Sequence, residues 1–265
     1  MHKNLHLVEY QNNQPMKKFI IFCLVSFFMT GFAFSQDQYI FPFGSGPSKA
    51  FIKEIIKLTG KEKPRICFLP TASGDRESGI IRWYDLVSDL EVEPYVQRVW
   101  ISSYRQKYTF EEFLLGMDAI VVGGGNTLNM MAIWKAQGID VVLKKALEKG
   151  IVLAGGSAGS LCWFDNGTTD SRPIELSVVE GLGFLPYSHS PHYDGEEFRR
   201  PLYEKNIKNG IFEAGYAMDN RAGIIFKNGK PFKVVSMGEE RNCYYVSLVN
   251  GEVVEEKLDK IILKD

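Results

Sequence analysis

The stretch Ile151-Val152-Leu153-Ala154-Gly155-Gly156-Ser157-Ala158-Gly159-Ser160-Leu161-Cys162-Trp163 carries the most structural information in this sequence. Its first four residues are apolar and predict a buried strand, and the residues after Ser157 predict a helix. Between them lies Gly-x-Ser-x-Gly, in the strand-turn-helix context in which that motif presents a serine hydroxyl. We therefore expect Ser157 to be a nucleophile at the carboxyl end of a strand.

The chain around this segment alternates short apolar runs with amphipathic stretches from Tyr39 onward. This pattern predicts an α/β fold, a three-layer α/β/α sandwich with a mainly parallel sheet. The predicted strands are residues 39–43, 65–69, 95–101, 119–122 and 151–154, and the predicted helices are residues 49–58, 77–90, 127–136 and 141–148.

The sequence changes character after about Gly210. Short apolar runs are joined there by Asn228-Gly229 and Asn250-Gly251, dipeptides that favour tight turns with positive φ. We therefore expect antiparallel hairpins at the C-terminal end. Since no linker precedes them, residues 36–265 are expected to form one domain.

The first 35 residues are typical of a secretory signal peptide. Lys17 and Lys18 precede an uncharged apolar run, and Ala33 and Ser35 are small residues in the −3 and −1 positions of a cleavage site before Gln36. Met16 is a better signal start than Met1. The sequence thus predicts an exported protein, periplasmic or extracellular; an uncleaved N-terminal anchor is the alternative.

Composition excludes several classes of protein. The chain has 265 residues with 31 basic and 32 acidic side chains, and no long basic run, so neither nucleic acid nor an anionic membrane surface is expected as a partner. Four cysteines without CxxC spacing suit neither a disulfide scaffold nor a zinc site. We expect no cofactor and no metal, with Cys67 and Cys162 as buried thiols, and we leave a homodimer open.

Histidine is scarce, which narrows the choice of a general base. A serine at its ordinary pKa needs an adjacent base to act as a nucleophile. Beyond the leader, the sequence has only His189 and His192, on either side of Ser190-Pro191. Since Pro191 excludes a regular helix here, a paired metal site on one helical face is not expected, and one of the two is the candidate base.

A second glycine cluster, Gly123-Gly124-Gly125-Asn126-Thr127, also leaves an apolar strand and opens a predicted helix. It lacks the third glycine of a dinucleotide-binding loop and the Gly-Lys-Ser/Thr of a phosphate-binding loop. Asn126 is a plausible N-cap. Two such turns at the carboxyl ends of neighbouring parallel strands would face one crevice, so this turn could supply half of an oxyanion hole, with the Ala158 N–H supplying the other half.

Three landmarks in this order resemble the serine peptidases typified by dipeptidase E (aspartyl dipeptidase) and cyanophycinase, which share the class I glutamine amidotransferase-like fold. They are Gly123-Gly124-Gly125-Asn126-Thr127, Gly156-Ser157-Ala158-Gly159, and Pro191-His192-Tyr193 followed by arginines. The resemblance extends from about Phe41 to Val249. It implies that Ser157 is the nucleophile, that His192 is the general base, and that the N–H groups of Gly125 and Ala158 form the oxyanion hole.

The acid of the implied triad and the substrate contacts are open. In the family, a carboxylate follows the turn that carries the serine. Asp170 is our choice for it, with Glu175 and Asp165 as alternatives, although Asp170 lies closer in sequence to Ser157 than the family's carboxylate lies to its serine. Family members recognise an aspartyl residue, which calls for a cation that grips a carboxylate. The candidate substrate-binding residues are Asn126, Arg199, Arg200 and Arg172.

The resemblance thus implies a serine peptidase that cleaves after an aspartyl or isoaspartyl residue in short peptides through an acyl-enzyme, and the leader predicts that this enzyme is exported. A cyanophycinase-like hydrolase of an Asp-Arg polymer and a catalytically silent exported binding protein on the same fold are the alternatives. A lipase or esterase ranks third, because its histidine normally lies far downstream, whereas His192 follows Ser157 closely.

Overall fold

The computed structural model describes residues 36–100 and 106–264. This part of the chain contains seven α-helices, one short 3₁₀ turn and fourteen strands, and the strands form two sheets. The strands of the larger sheet, sheet A, are β1 (Tyr39–Phe43), β2 (Arg65–Leu69), β3 (Glu93–Val96), β4 (Ala119–Val122), β5 (Val152–Gly156), β10 (Ala222–Lys227), β11 (Lys230–Ser236) and β14 (Ile261–Ile262).

Sheet A has the strand order β14-β11-β10-β1-β5-β4-β2-β3. The neighbouring strands β1, β5, β4, β2 and β3 are mutually parallel. Strand β10 pairs antiparallel with β1, and β11 pairs antiparallel with β10. Every residue of β4 and β5 is buried, as expected for strands that are covered on both faces. The predicted mainly parallel α/β fold is confirmed.

The helices cover both faces of this sheet, with one further helix on the second sheet. They are α1 (Lys49–Thr59), α2 (Glu77–Val87), α3 (Phe110–Leu114), α4 (Thr127–Gln137), α5 (Ile139–Glu148), α6 (Ala158–Leu161) and α7 (Arg199–Lys208). The N-cap Ser48 accepts the Phe51 N–H at the start of α1, and Gly60 ends that helix in the left-handed conformation.

The smaller sheet, sheet B, was not predicted. Its strands are β6 (Phe164–Thr169), β7 (Ser177–Glu180), β8 (Leu185–Ser190), β9 (Gly215–Met218), β12 (Cys243–Val249) and β13 (Glu252–Lys257). Their order is β13-β12-β9-β8-β6-β7, with β8 parallel to both β6 and β9 and the outer pairs antiparallel. The hairpins β10–β11 and β12–β13 turn at the predicted Asn-Gly pairs, with positive φ at all four residues.

Alternate residues of the parallel strands enter two separate cores. Phe41, Val121 and Ala154 face α1 and α2, whereas Ile40, Val122 and Leu153 face α4, α5 and the inner side of sheet B. The second layer over sheet A is therefore part helix and part sheet. α7 packs on the far side of sheet B, in a third small core.

Several details differ from the sequence prediction. Strand β3 begins at Glu93 and ends at Val96, and Ile101, the predicted end, lies outside the described residues. Helix α2 ends at Val87, three residues early. Cys67 and Cys162 are buried free thiols, as predicted, and burial raises the pKa of each. No helix within residues 36–100 and 106–264 has the length and apolar character needed to cross a bilayer. The predicted signal peptide, residues 1–35, lies outside the described part.

Candidate active site

Ser157 lies at a sharp turn between β5 and α6. Its backbone has φ 57° and ψ −119°, a conformation that costs a non-glycine residue roughly 1–3 kcal/mol. Neighbouring chain crowds this turn: a Cβ atom on Gly156 would lie 1.7 Å from the Ser45 carbonyl oxygen, and one on Gly159 would lie 2.2 Å from the Val122 carbonyl oxygen. Close approach of the backbone therefore requires glycine at both positions.

The second glycine turn lies against the first. Val122, the last residue of β4, pairs with Gly155 of β5, so both strands end at the same edge. A Cβ atom on Gly124 would lie 3.5 Å from the Ser157 hydroxyl oxygen. Within the described residues, the N–H groups of Gly125 and Ala158 donate no hydrogen bond to the protein, so both donors are free to bind an anionic oxygen.

His192 comes to Ser157 from sheet B. It follows β8, and its backbone N–H donates to the carbonyl of Gly44, the residue after β1, at 3.2 Å. This contact joins the end of β8 to the edge of sheet A beside β5. The His192 Nε2 atom then lies 2.9 Å from the Ser157 Oγ atom. His192, like Ser157, has positive φ, here 53°.

Asn220 supplies the other contact of the His192 ring. Its Oδ1 atom lies 2.7 Å from His192 Nδ1. Because an amide oxygen can only accept, Nδ1 carries the ring proton and Nε2 presents its lone pair to the Ser157 hydroxyl. This is the tautomer that a general base for Ser157 requires.

The turn between β9 and β10 that carries Asn220 is itself held in place. The Asn220 backbone N–H donates to Asp194 Oδ1 at 2.7 Å, and Arg241 pairs with the other oxygen of Asp194. The neighbouring Asp219 is buried, and its Oδ2 atom accepts the Asn242 N–H at 2.8 Å. Burial raises the pKa of Asp219 to about 6.

The structure does not bring Asp170 to His192. Asp170 follows β6 and is exposed, as are the alternatives Glu175 and Asp165. Within the described residues, the ring nitrogens of His192 contact Ser157 and Asn220 alone. The expected acid at this position is thus replaced by a neutral amide. Sequence reasoning missed Asn220, and its one available signal was a polar residue just past the carboxyl end of an apolar strand.

His189, the other candidate base, is buried away from the Ser157 hydroxyl. Its Nε2 atom lies 2.9 Å from Ser160 Oγ and its Nδ1 atom 2.8 Å from the Tyr216 carbonyl oxygen. Burial lowers the pKa of His189 to about 3, so its ring is neutral at ordinary pH. Of the two candidates, only His192 has the geometry of a base for Ser157.

Asn126, a predicted substrate contact, has its side chain committed to the protein. Its Oδ1 atom caps α4 by accepting the Asn129 N–H at 2.8 Å, which confirms its predicted role as an N-cap. Its Nδ2 atom donates to the Ser171 carbonyl oxygen at 2.9 Å. The amide thus ties the glycine turn beside Ser157 to the segment that follows β6.

Arg199 and Arg200 are likewise engaged within the protein. Arg199 is 1 % exposed and bonds both the Glu196 carboxylate and the Thr168 carbonyl oxygen. Arg200 forms a two-pronged ion pair with Glu255 at 2.7 and 3.1 Å and lies over the Tyr193 ring. The pKa of Arg200 is raised by that pair. In this conformation neither guanidinium points freely at a ligand.

A depression of about 630 Å³ lies between the segment after β6 and the segment around the start of α7. One wall is the segment after β6, which Asn126 holds through Ser171; the other begins at Glu196, whose N–H donates to the His192 carbonyl at 3.3 Å. Its lining includes four carboxylates and one arginine, namely Asp170, Glu175, Glu196, Glu197 and Arg172. The Arg172 guanidinium also donates to Ser177 Oγ at 2.9 Å.

Comparison with known proteins agrees with this architecture. The model of peptidase family S51 matches residues 43–234. The uncharacterized peptidase YgaJ of Bacillus subtilis is 41% identical over 202 residues, which cover 76% of this chain and 86% of that protein. A peptidase E of Streptomyces coelicolor is 36% identical over 78 residues, 29% of this chain and 32% of its own length.

Solved structures share the fold at low sequence identity. A peptidase from an acI-B1 actinobacterium superimposes with a TM-score of 0.65 at 18% identity, covering 87% of this chain and 97% of its own. A putative peptidase E from Listeria monocytogenes gives 0.55 at 18% identity, over 84% of this chain and all of its own. The extent of the family match and the identity to YgaJ establish the relationship: this chain belongs to peptidase family S51.

Proposed function

We propose that the protein is a serine-type peptidase that acts on short peptides through an acyl-enzyme. The observation that carries this proposal is the 2.9 Å contact between Ser157 Oγ and His192 Nε2 at a strained strand-to-helix turn. The Nδ1 contact to Asn220 holds the ring in the tautomer that can accept the hydroxyl proton. Membership of a peptidase family supports peptides as the substrates.

The proposed reaction proceeds in two half-reactions. Ser157 Oγ attacks the scissile carbonyl carbon while its proton passes to His192 Nε2, and the N–H groups of Gly125 and Ala158 stabilise the resulting oxyanion. His192 then gives that proton to the leaving amine as the C–N bond breaks. Water attacks the ester in the second half, with His192 again taking and returning a proton, and releases the acid. Throughout, Asn220 orients the ring without adding a negative charge.

We further propose that the preferred substrates carry an aspartyl or isoaspartyl residue on the acyl side. Arg172 supports this, because it lines the depression whose walls are tied to Asn126 and His192 and it offers the cation that a carboxylate needs. The carboxylates in the same lining would attract the free ammonium group at the N-terminus of a dipeptide. Arg199 and Arg200, bound to Glu196 and Glu255, do not contribute to this proposal.

A hydrolysis screen tests both parts of the proposal. Purified protein is incubated with α- and β-Asp-X dipeptides, with Asn-X and Gly-X dipeptides and a p-nitrophenyl ester as controls. We expect Asp-X to be cleaved at least tenfold faster than Asn-X, and Arg172→Ala to raise KM for Asp-X selectively. Cleavage of the ester alone would favour an esterase. Absence of any turnover would favour a catalytically silent binding protein.

We also propose that the protein is exported and that the leader is removed before Gln36. The support is the sequence of residues 1–35: lysines, an uncharged apolar run and small residues at the −3 and −1 positions. Fractionation of expressing cells and sequencing of the N-terminus test this directly. A protein that retains Met16 or Met1 in the cytoplasm would contradict it.

A further inference from the structure

A second serine–histidine pair lies directly behind the proposed nucleophile. Ser160 follows Ser157 by one helical turn in α6, and its Oγ atom lies 2.9 Å from His189 Nε2. Both residues are fully buried, with no measurable exposure to solvent. The pair therefore cannot meet a substrate, and the proposed reaction does not use it.

The hydrogen bonds of His189 fix its tautomer. The Tyr216 carbonyl oxygen, 2.8 Å from Nδ1, can only accept, so the ring proton lies on Nδ1. Nε2 then presents a lone pair to the Ser160 hydroxyl. The ring also lies flat on Phe164, with the ring centroids 4.4 Å apart and the planes 21° apart. His189 is thus held on three sides by β6, β9 and α6.

The Ser160 hydroxyl connects this fixed ring to the backbone of Ser157. Its one proton is shared between two acceptors, the Ser157 carbonyl oxygen at 2.8 Å and His189 Nε2 at 2.9 Å. The Ser157 carbonyl is part of the peptide unit whose N–H, that of Ala158, belongs to the proposed oxyanion hole. Any shift of Ser160 would therefore be passed both to the nucleophile and to one oxyanion donor.

Strand β8 and the turn that follows it carry the two histidines. His189 lies in β8, and His192 follows it by three residues. The segment that includes β8 thus contacts the Ser157 turn and helix α6 at two points: His192 contacts the Ser157 hydroxyl, and His189 contacts Ser160 in α6. Two contacts fix the orientation of the Ser157 turn relative to His192 as well as the distance between them, whereas one contact fixes only a distance. The geometry of attack depends on both.

We propose that Ser160 and His189 are positioning residues, which set the Ser157 backbone against His192 through the hydrogen bond between Ser160 Oγ and His189 Nε2. This inference rests on the proposed function, since it assigns a role in that reaction. It predicts that breaking the bond slows the chemical step and leaves substrate binding unchanged.

The test uses a matched pair of substitutions at His189. A glutamine amide reaches the place of Nε2, whereas an asparagine amide reaches only the place of Nδ1, so His189→Gln can keep the bond to Ser160 and His189→Asn cannot. Both lose the ring on Phe164. Ser160→Ala removes the bond from the other side. Ser188→Ala is the control, because it removes a buried hydroxyl from the same strand that bonds Tyr203 and the Glu213 carbonyl instead.

The readouts are the bimolecular rate of Ser157 labelling by a fluorophosphonate, kcat and KM for a cleaved dipeptide, and Tm. We expect Ser160→Ala and His189→Asn to lower the labelling rate and kcat by about 10- to 100-fold, the effect of a small misplacement of reacting groups, with KM within twofold. His189→Gln should stay within about threefold of the wild type. The double variant Ser160→Ala/His189→Asn should lose no more than either single one.

The inference is overturned if Ser160→Ala labels at the wild-type rate per folded molecule, if His189→Gln loses as much as His189→Asn, or if the two single losses multiply. Ser188→Ala should lower Tm without changing the labelling rate; an equal slowing by this control would also overturn it. Wild-type labelling without any peptide hydrolysis would reject the peptidase and leave the labelling rates to decide the positioning role. A wild-type protein that does not label would reject both.

Discussion

Replacing Asn220 separates the orientation of His192 from the compensation of its charge. In Asn220→Ala, His192 Nδ1 loses the acceptor now 2.7 Å away. A partly buried donor left without a partner costs about 1–3 kcal/mol. If that cost falls on the step in which His192 takes the Ser157 proton, kcat/KM drops by about 10- to 100-fold, because about 1.4 kcal/mol corresponds to a factor of ten.

Asn220→Asp makes the opposite change at the same atoms. A carboxylate in this place would stabilise the imidazolium, so a more alkaline solution would be needed to keep His192 neutral. An opposite charge at such a distance shifts a titration by about 1–3 units. We therefore expect the acidic limb of the pH dependence of kcat/KM to move upward by about that amount.

The assay is the pH profile of kcat/KM for both variants, with Tm measured alongside. Asn129→Ala, which truncates an exposed asparagine on α4, is the control and should match the wild type. Activity of Asn220→Ala within twofold of the wild type, or an unmoved acidic limb in Asn220→Asp, would show that Asn220 does not orient His192 for the reaction.

Three further predictions concern stability and processing. Burial raises the pKa of Asp219 from 3.8 to about 6, so between these pH values this carboxyl binds more protons in the folded than in the unfolded state. Its contribution to stability should therefore fall by about 2–3 kcal/mol as the pH rises from 4 to 7. In urea unfolding at both pH values, Asp219→Asn should lack this part of the pH dependence of the unfolding free energy, and an unchanged pH dependence would contradict the prediction. Arg199→Ala should lower the free energy of unfolding by about 3 kcal/mol, because it removes a buried charge that bonds Glu196 and the Thr168 carbonyl oxygen. Arg200 is half exposed, so Arg200→Ala should lower it by less than about 1 kcal/mol. Equal losses in urea melts would refute this distinction. The exported protein should begin at Gln36, as mass spectrometry of its N-terminus would reveal, and any other N-terminus would reject the proposed cleavage site.

The parts of the site that local sequence determines were predictable. Ser157 stands in the strand-turn-helix motif of residues 155–159, whose glycines are crowded by the backbone of the motif itself, of β4 and of the segment after β1. Scarcity limited the general base to His189 or His192, since only two histidines lie beyond the leader, and the family resemblance implied His192. The parallel strands of sheet A were visible because full burial on both faces makes them continuous apolar runs.

Contacts between distant segments were not predictable in the same way. His192 follows β8 of sheet B, and Asn220 lies 28 positions later, in the turn before β10. Only the folded arrangement of these two segments brings the side chains together. Sheet B itself was missed because β6 and β8 are short and partly polar, as in Phe164–Thr169. A polar strand of this kind has no periodicity that distinguishes it from a loop.

The two adjacent arginines show a related limit. Successive helical residues point about 100° apart, so in α7 Arg199 is buried while Arg200 is half exposed. The resemblance offered both as substrate contacts and could not distinguish them. What each contacts depends on Glu196 and Glu255, and the second of these lies on a distant strand of sheet B.

The proposed reaction depends on activation of Ser157 by His192 for attack on a carbonyl. Fluorophosphonate labelling, followed by intact-mass measurement and peptide mapping, tests it most directly. We expect the wild-type protein to gain one adduct, on Ser157, and Ser157→Ala and His192→Ala to gain none while keeping the wild-type Tm; heat-denatured protein should also stay unlabelled. An unlabelled wild-type protein, an adduct at another residue, or equal labelling of His192→Ala would show that His192 does not activate Ser157.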